Sequence, residues 1–195
     1  MENNIKNSIY CYPGTNILKN KLDIHDSNKL LEKEKQIVLV KSYILRQNRI
    51  QYTFDKKHFL YLHEFLFGDI YPFAGKFRTE NIYKGSFTFA SWEYIESELD
   101  RLLKELKSEN FLQELDKEKL SKRLSYYLSE LNVLHPFREG NGRTIREFIR
   151  EIAFQAGFTL DLQSTTPEEM FNACVKSVYD TTDLEKILFN CLLQN

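Results

Sequence analysis

Leu134-His135-Pro136-Phe137-Arg138-Glu139-Gly140-Asn141-Gly142-Arg143-Thr144-Ile145-Arg146 holds a helix end, a glycine-flanked turn and a helix start in one short stretch. Upstream, Leu120, Leu124, Tyr127, Leu128, Leu131 and Leu134 recur every three or four residues and predict a helix that runs into His135-Pro136. Downstream, a helix is expected from Gly142 to about Gln155. At about 100° per residue, Arg143, Arg146 and Arg150 fall on one face, and Ile145, Phe148, Ile149 and Ile152 fall opposite. The apolar face must enter the core, which predicts exposed arginines beside the turn.

Farther out the helical period continues. Asp26-Ser27-Asn28 predicts a cap for a helix from about Lys29 to Asn48, and Phe54, His58, Leu62 and Phe65 mark a second helix that ends near Gly68. Trp92, Ile95, Leu99, Leu102, Leu103 and Leu106 mark a third. Further helices are expected from Thr166 to about Tyr179 and from Thr182 to the end. Between them, Tyr71-Pro72-Phe73-Ala74-Gly75 breaks any helix, and Ile82 to Phe89 mixes aromatic and β-branched residues around Lys84-Gly85, which predicts a short β-hairpin. Only 7 Gly and 4 Pro in 195 residues agree with long helices and few turns. No repeat or compositional shift divides the chain, so residues 1–195 are expected to form a single, mainly helical domain.

Composition excludes several classes. Lys plus Arg is 27 against 28 Asp plus Glu, and that balance argues against a nucleic-acid or anionic-membrane binder. No window is apolar enough to span a bilayer, and the start of the chain lacks the basic-then-apolar run of a signal peptide. The three cysteines, Cys11, Cys174 and Cys191, are odd in number and far apart, which fits no disulfide framework or zinc knuckle and favours a reducing, cytoplasmic setting.

Chemistry is expected at the turn. Glycines let successive amides point into one concavity, and the following helix adds unsatisfied N–H groups and the positive end of its dipole, so the backbone itself can hold an anion. Arg143 and Arg146 supply guanidinium forks suited to phosphate oxygens. Glu139 offers a carboxylate for Mg²⁺, an ion usually held by one or two carboxylates plus substrate phosphates. His135 is the natural base for a hydroxyl nucleophile. A Gly-Asn-Gly turn or an arginine stripe alone is most often structural; His25, His58 and His63 are read as structural, and Phe137 as a loop anchor.

The complete string is another matter. His135, Phe137, Glu139, Gly140, Asn141, Gly142, Arg143 and Arg146 satisfy H-x-F-x-[D/E]-G-N-G-R-x-x-R at every position, a match expected by chance with a probability on the order of 10⁻⁸. The chain resembles the Fic family. Tyr12-Pro13-Gly14-Thr15 with Leu18 to Leu22, Tyr71 to Arg78, and Leu131-Asn132 resemble further family segments. The resemblance implies an all-α fold with one β-hairpin flap, at about residues 78–89, and transfer of AMP from ATP to a Ser, Thr or Tyr hydroxyl of a target protein. It implies His135 as general base, Glu139 on Mg²⁺, and Gly140, Asn141 and Gly142 on the α- and β-phosphates. Arg143 would meet the β-phosphate and Arg146 the γ-phosphate. Ile82, Tyr83, Lys84, Gly85, Ser86 and Phe87 would dock an extended target segment by strand addition.

Two alternatives stand beside AMP transfer. Some family members transfer phosphate, although their turn resembles D-A-N-G-R, and a non-catalytic binding module would need neither His135 nor Glu139. The family commonly restrains its enzymes with a helix of pattern [S/T]-x-x-x-E-[G/N], whose glutamate pairs with the second motif arginine. Ser164 to Glu168, Thr165 to Glu169 and Thr181 to Glu185 match only in part, since Glu169, Met170 and Lys186 follow them. Inhibition is therefore expected from a separate small protein whose glutamate reaches Arg146.

Overall fold

The computed structural model describes residues 8–47, 52–85 and 87–195. Among these, seven helices carry the architecture. α1 (Ser27–Gln47) starts where the Asp26 carboxylate accepts the Lys29 amide at 2.8 Å. Asp55 and Asp116 cap α2 (Lys56–Phe67) and α4 (Lys117–Leu134) in the same way, each replacing a missing carbonyl for a first-turn N–H. α3 spans Ile95–Ser108 and α5 spans Asn141–Gln155. A Thr166–Glu169 capping box followed by Pro167 opens α6 (Pro167–Lys176), and α7 is Thr182–Cys191.

The apolar stripes read from the sequence make the core. α4 runs through its centre between α5 and α7, while α2 lies between α1 and α5. Leu120, Leu124, Leu131 and Leu134 of α4 meet Ile145, Phe148, Ile149 and Ile152 of α5 in one cluster, all buried. No helix among the described residues is long and apolar enough to cross a membrane.

The β structure differs in part from expectation. The hairpin pairs β1 (Tyr83–Lys84) with β2 (Phe87–Thr88) antiparallel, Tyr83 opposite Thr88 and Lys84 opposite Phe87. Ser86 and Asn48 lie outside the described residues. The terminal helix does not reach the end of the chain. It stops at Cys191, and β4 (Leu192–Gln194) pairs with β3 (Phe158–Leu160). Gly157, at φ +92°, reverses the chain after α5 and delivers Phe158-Thr159-Leu160 extended, with Leu160 and Leu192 sealing the core edge.

One buried cation fastens the flap to α4. Arg78 is 1% exposed. Its Nε donates to the His135 carbonyl at 2.8 Å, and its terminal nitrogens donate to the carbonyls of Leu134, Glu80 and Ala90. The last carbonyls of a helix have no intrahelical partner, and the C-terminal end of the dipole favours a cation there. Burial lowers the Arg78 pKa to about 10, so it stays charged at neutral pH. Backbone bonds from the Arg78 amide to Pro136 O and from the Ala90 amide to Val133 O complete the joint. Arg78→Met strands several buried carbonyls and should cost about 3 kcal/mol or more, lowering Tm by roughly 6–12 °C in a chain of this size. An unchanged Tm would refute this role.

Candidate active site

His135 ends α4 in the left-handed conformation, φ 46° and ψ 60°, its N–H still bonded to Leu131 O. The following proline disfavours helical geometry at this residue, and the Arg78 bond to its carbonyl holds the turn. The ring stacks on Phe89 of the flap at 3.9 Å. Nδ1 lies 3.1 Å from the Asn132 carbonyl. A carbonyl only accepts, so Nδ1 carries the proton and Nε2 keeps a bare lone pair. Burial pushes the His135 pKa down to about 4, with Arg78 and Lys84 acting in the same direction.

The turn is held from inside. The Asn141 amide brackets Phe137, accepting its N–H at 2.7 Å and donating to its carbonyl at 2.8 Å. The Asn141 side chain is therefore committed to holding the loop. Gly140 sits at φ +80°, and a Cβ there would meet the Phe67 ring at 2.4 Å, so both conformation and space demand glycine. His63, read as structural, braces the loop. Its Nδ1 accepts the Gly75 amide and its Nε2 donates to the Glu139 carbonyl, each at 2.9 Å, while the ring stacks on Phe137 at 3.7 Å. Burial lowers its pKa to about 4 and keeps it neutral.

The new helix opens at once. The amides of Asn141, Gly142 and Arg143, its first three residues, have no carbonyl one turn earlier to bond. The arginine face is less exposed than the helical wheel implied. Arg143 donates to the buried carboxylate of Glu34 on α1 at 2.7 Å and lies 4.7 Å over the Phe67 ring. Arg146 folds back over Gly142, whose added Cβ would stand 3.1 Å from Nη1, and burial lowers its pKa. Among the described residues Arg146 makes no ion pair. Arg150 leaves the anion face to pair with Glu147, which also accepts from Arg46.

His135, Glu139, Gly140, Asn141, Gly142, Arg143 and Arg146 all line one cleft of about 1260 Å³. Of the expected flap residues, Lys84, Gly85 and Phe87 also line it, whereas Ile82 and Tyr83 do not. Lys84 reaches across to lie 4.3 Å over the ring of Phe171 on α6. Met170, Phe171, Cys174 and Val175 form an apolar wall of the cleft. From the sequence α6 is read only as a helix, with none of these residues assigned to a site. Among the described residues there is no cluster of three or more His, Cys, Asp or Glu that could hold a metal. The Glu139 carboxylate, 42% exposed and facing the cleft, fits an ion completed by ligand phosphates.

Known proteins are similar to this chain in sequence and fold. A family model described as the Fic/DOC family matches residues 53–153. The chain is 40% identical over 182 residues to protein adenylyltransferase VbhT of Bartonella schoenbuchensis, covering 93% of this chain and 38% of VbhT, so it spans well under half of that relative. It is 38% identical to the probable protein adenylyltransferase y4lH of Sinorhizobium fredii, covering 86% of each. The fold superposes on the BepC effector of Bartonella tribocorum, solved with bound AMPPNP, at a TM-score of 0.90 and 27% identity, covering 95% of this chain and 97% of that one. With the matched segment running from α2 through the motif loop into α5, this chain belongs to the Fic/DOC family.

Proposed function

We propose that this chain is a protein adenylyltransferase that moves AMP from ATP onto a Ser, Thr or Tyr hydroxyl of another protein. The observation that carries this is the bare Nε2 of His135 opening on the same cleft as the anion-binding start of α5. The first amides of α5 cradle the α- and β-phosphates, Gly140 turns the chain into them with its own N–H donated to Glu139 Oε1 at 2.9 Å, Arg143 meets the β-phosphate, and Arg146 takes the γ-phosphate. The apolar α6 wall suits a purine face. Mg²⁺, held by Glu139, would supply charge neutralisation at the phosphates.

The chemistry then follows. The target hydroxyl gives its proton to Nε2 as its oxygen forms a bond to the α-phosphorus. The bond from that phosphorus to the α–β bridging oxygen breaks in line, and pyrophosphate leaves. Catalysis comes mainly from positioning and charge stabilisation. The depressed His135 pKa keeps the lone pair available, and the donor's negative charge raises the basicity again once bound. β1 offers a short edge on which an extended target segment can pair. Residues 1–195 act together as one catalytic unit, and the three free cysteines suit a reducing, cytoplasmic setting.

Control falls to a separate protein in this reading. Glu169 Oε2 accepts the Thr166 amide and hydroxyl at the cap of α6, and Glu185 Oε1 accepts the Thr181 hydroxyl at 2.6 Å, so neither is a ready partner for Arg146. A glutamate from a small antitoxin-like protein would occupy the place of the γ-phosphate there.

Incubation with Mg²⁺, target lysate and ATP labelled at the α- or the γ-phosphate tests the reading. The α-label should move to protein, and His135→Ala should abolish transfer while leaving ATP binding within about threefold. Movement of the γ-label alone would establish phosphotransfer, and binding without transfer a non-catalytic module. The pH profile is a second check. His135 must be deprotonated and its folded pKa is depressed to about 4, so kcat/KM should be flat between about pH 6 and 8 and fall only as pH approaches 4. An acid limb centred near 6.5 would contradict the assigned environment.

A further inference from the structure

Glu34 is 3% exposed on α1, and both of its carboxylate oxygens are committed. Oε1 accepts from Arg143 Nη2 at 2.7 Å, and Oε2 accepts the hydroxyl of Tyr71, itself 2% exposed. Arg143 is thus gripped at one corner by a buried carboxylate and on one face by Phe67, the ring against which Gly140 packs. The pair is asymmetric. The Glu34 side chain is 4% exposed whereas that of Arg143 is 29% exposed and faces the cleft. The carboxylate bears the burial while the cation stays available. A guanidinium carries five N–H donors in a rigid fork, so a grip on one nitrogen leaves another edge free to meet an anion. Glu139 stands farther from the same nitrogen, at 3.5 Å, and is too exposed to fix it.

The geometry points to Glu34, backed by Tyr71, as the positioning residue that aims Arg143 at the second phosphate of the donor and so sets the preference for nucleoside di- and triphosphates over monophosphates. It rests on the reading of Arg143 as the β-phosphate contact. Burial and Glu34 raise the Tyr71 pKa, so its hydroxyl remains a donor throughout the working range. Glu34 could instead merely offset the charge of Arg143. In that case its removal would strengthen phosphate binding, whereas a positioning role makes removal weaken it.

Affinities for ADP and AMP, which differ by the β-phosphate alone, separate these roles. In the presence of Mg²⁺, Glu34→Gln should weaken ADP binding about tenfold, the scale of one charge-assisted hydrogen bond, and AMP binding by less than about twofold. Glu34→Asp keeps the charge but not the reach and should show the same selective loss. Tyr71→Phe, which deletes one hydroxyl and keeps the carboxylate, should lose about threefold for ADP alone and carries the test if Glu34→Gln does not fold. Arg143→Ala is the control for the underlying reading. A selective ADP loss in Arg143→Ala without one in the Glu34 and Tyr71 variants overturns this proposal alone. No selective loss in Arg143→Ala overturns the Arg143 assignment and the proposal with it. Tighter ADP binding in Glu34→Gln, or equal losses for ADP and AMP, also refutes the positioning role.

Discussion

The guanidinium of Arg78, buried and bonded to four backbone carbonyls, is the constraint on which the rest of the site depends. It closes the C-terminus of α4 at Leu134 and His135 and binds both stems of the flap, at Glu80 and Ala90. Two things that must be aligned are therefore mounted on one cation: the histidine that would take a proton and the strand that would present the hydroxyl. Phe89, at the foot of the flap, stacks on the His135 ring and carries the same alignment to the side chain. A flexible link at any of these points would loosen base and target together.

Charge is distributed around the cleft so that each group has a fixed state before a ligand arrives. His63 and His135 are both neutral through burial, with tautomers set by the groups they face. Their folded pKa values lie below the ordinary value of 6.5, so the unfolded chain binds more protons between about pH 4 and 6.5. Stability contributed by their burial is therefore present above 6.5 and is lost as pH falls through that window. The cations divide differently. Arg143 is anchored by Glu34 and Arg150 is consumed by Glu147, while Arg146, beside the opening of α5, has no carboxylate partner among the described residues. Two guanidinium groups, one of them oriented by Glu34, thus stand next to three helix amides, a density of positive potential that suits a polyphosphate better than a single carboxylate.

Much of this was legible in the sequence, for identifiable reasons. The stripes of α4 and α5 repeat at the helical period, so their buried faces could be read directly, and the motif places its functional groups within a single turn. What could not be read depends on contacts between segments distant in sequence. Glu34 sits among lysines and glutamates on α1 and looks like solvated surface; only the fold brings it under Arg143. His63 reads as a residue beside an apolar stripe, yet its two nitrogens link Gly75 to the Glu139 carbonyl. Arg78 looks like one of many basic residues, because the backbone carbonyls it bonds leave no mark in a sequence. The terminal strand was missed because Leu192-Leu193 continues the apolar run of α7, and pairing with Phe158–Leu160 overrides local preference there.

The fold delivers His135 with its proton on Nδ1 and a bare Nε2, in the cleft that the start of α5 also lines. Nitrogen-15 NMR of histidine-labelled protein measures this directly, with His135→Gln to assign the signals. A neutral Nδ1–H tautomer should persist as pH is lowered until about 4. A neutral ring protonated on Nε2, or a midpoint near the ordinary 6.5, would contradict it.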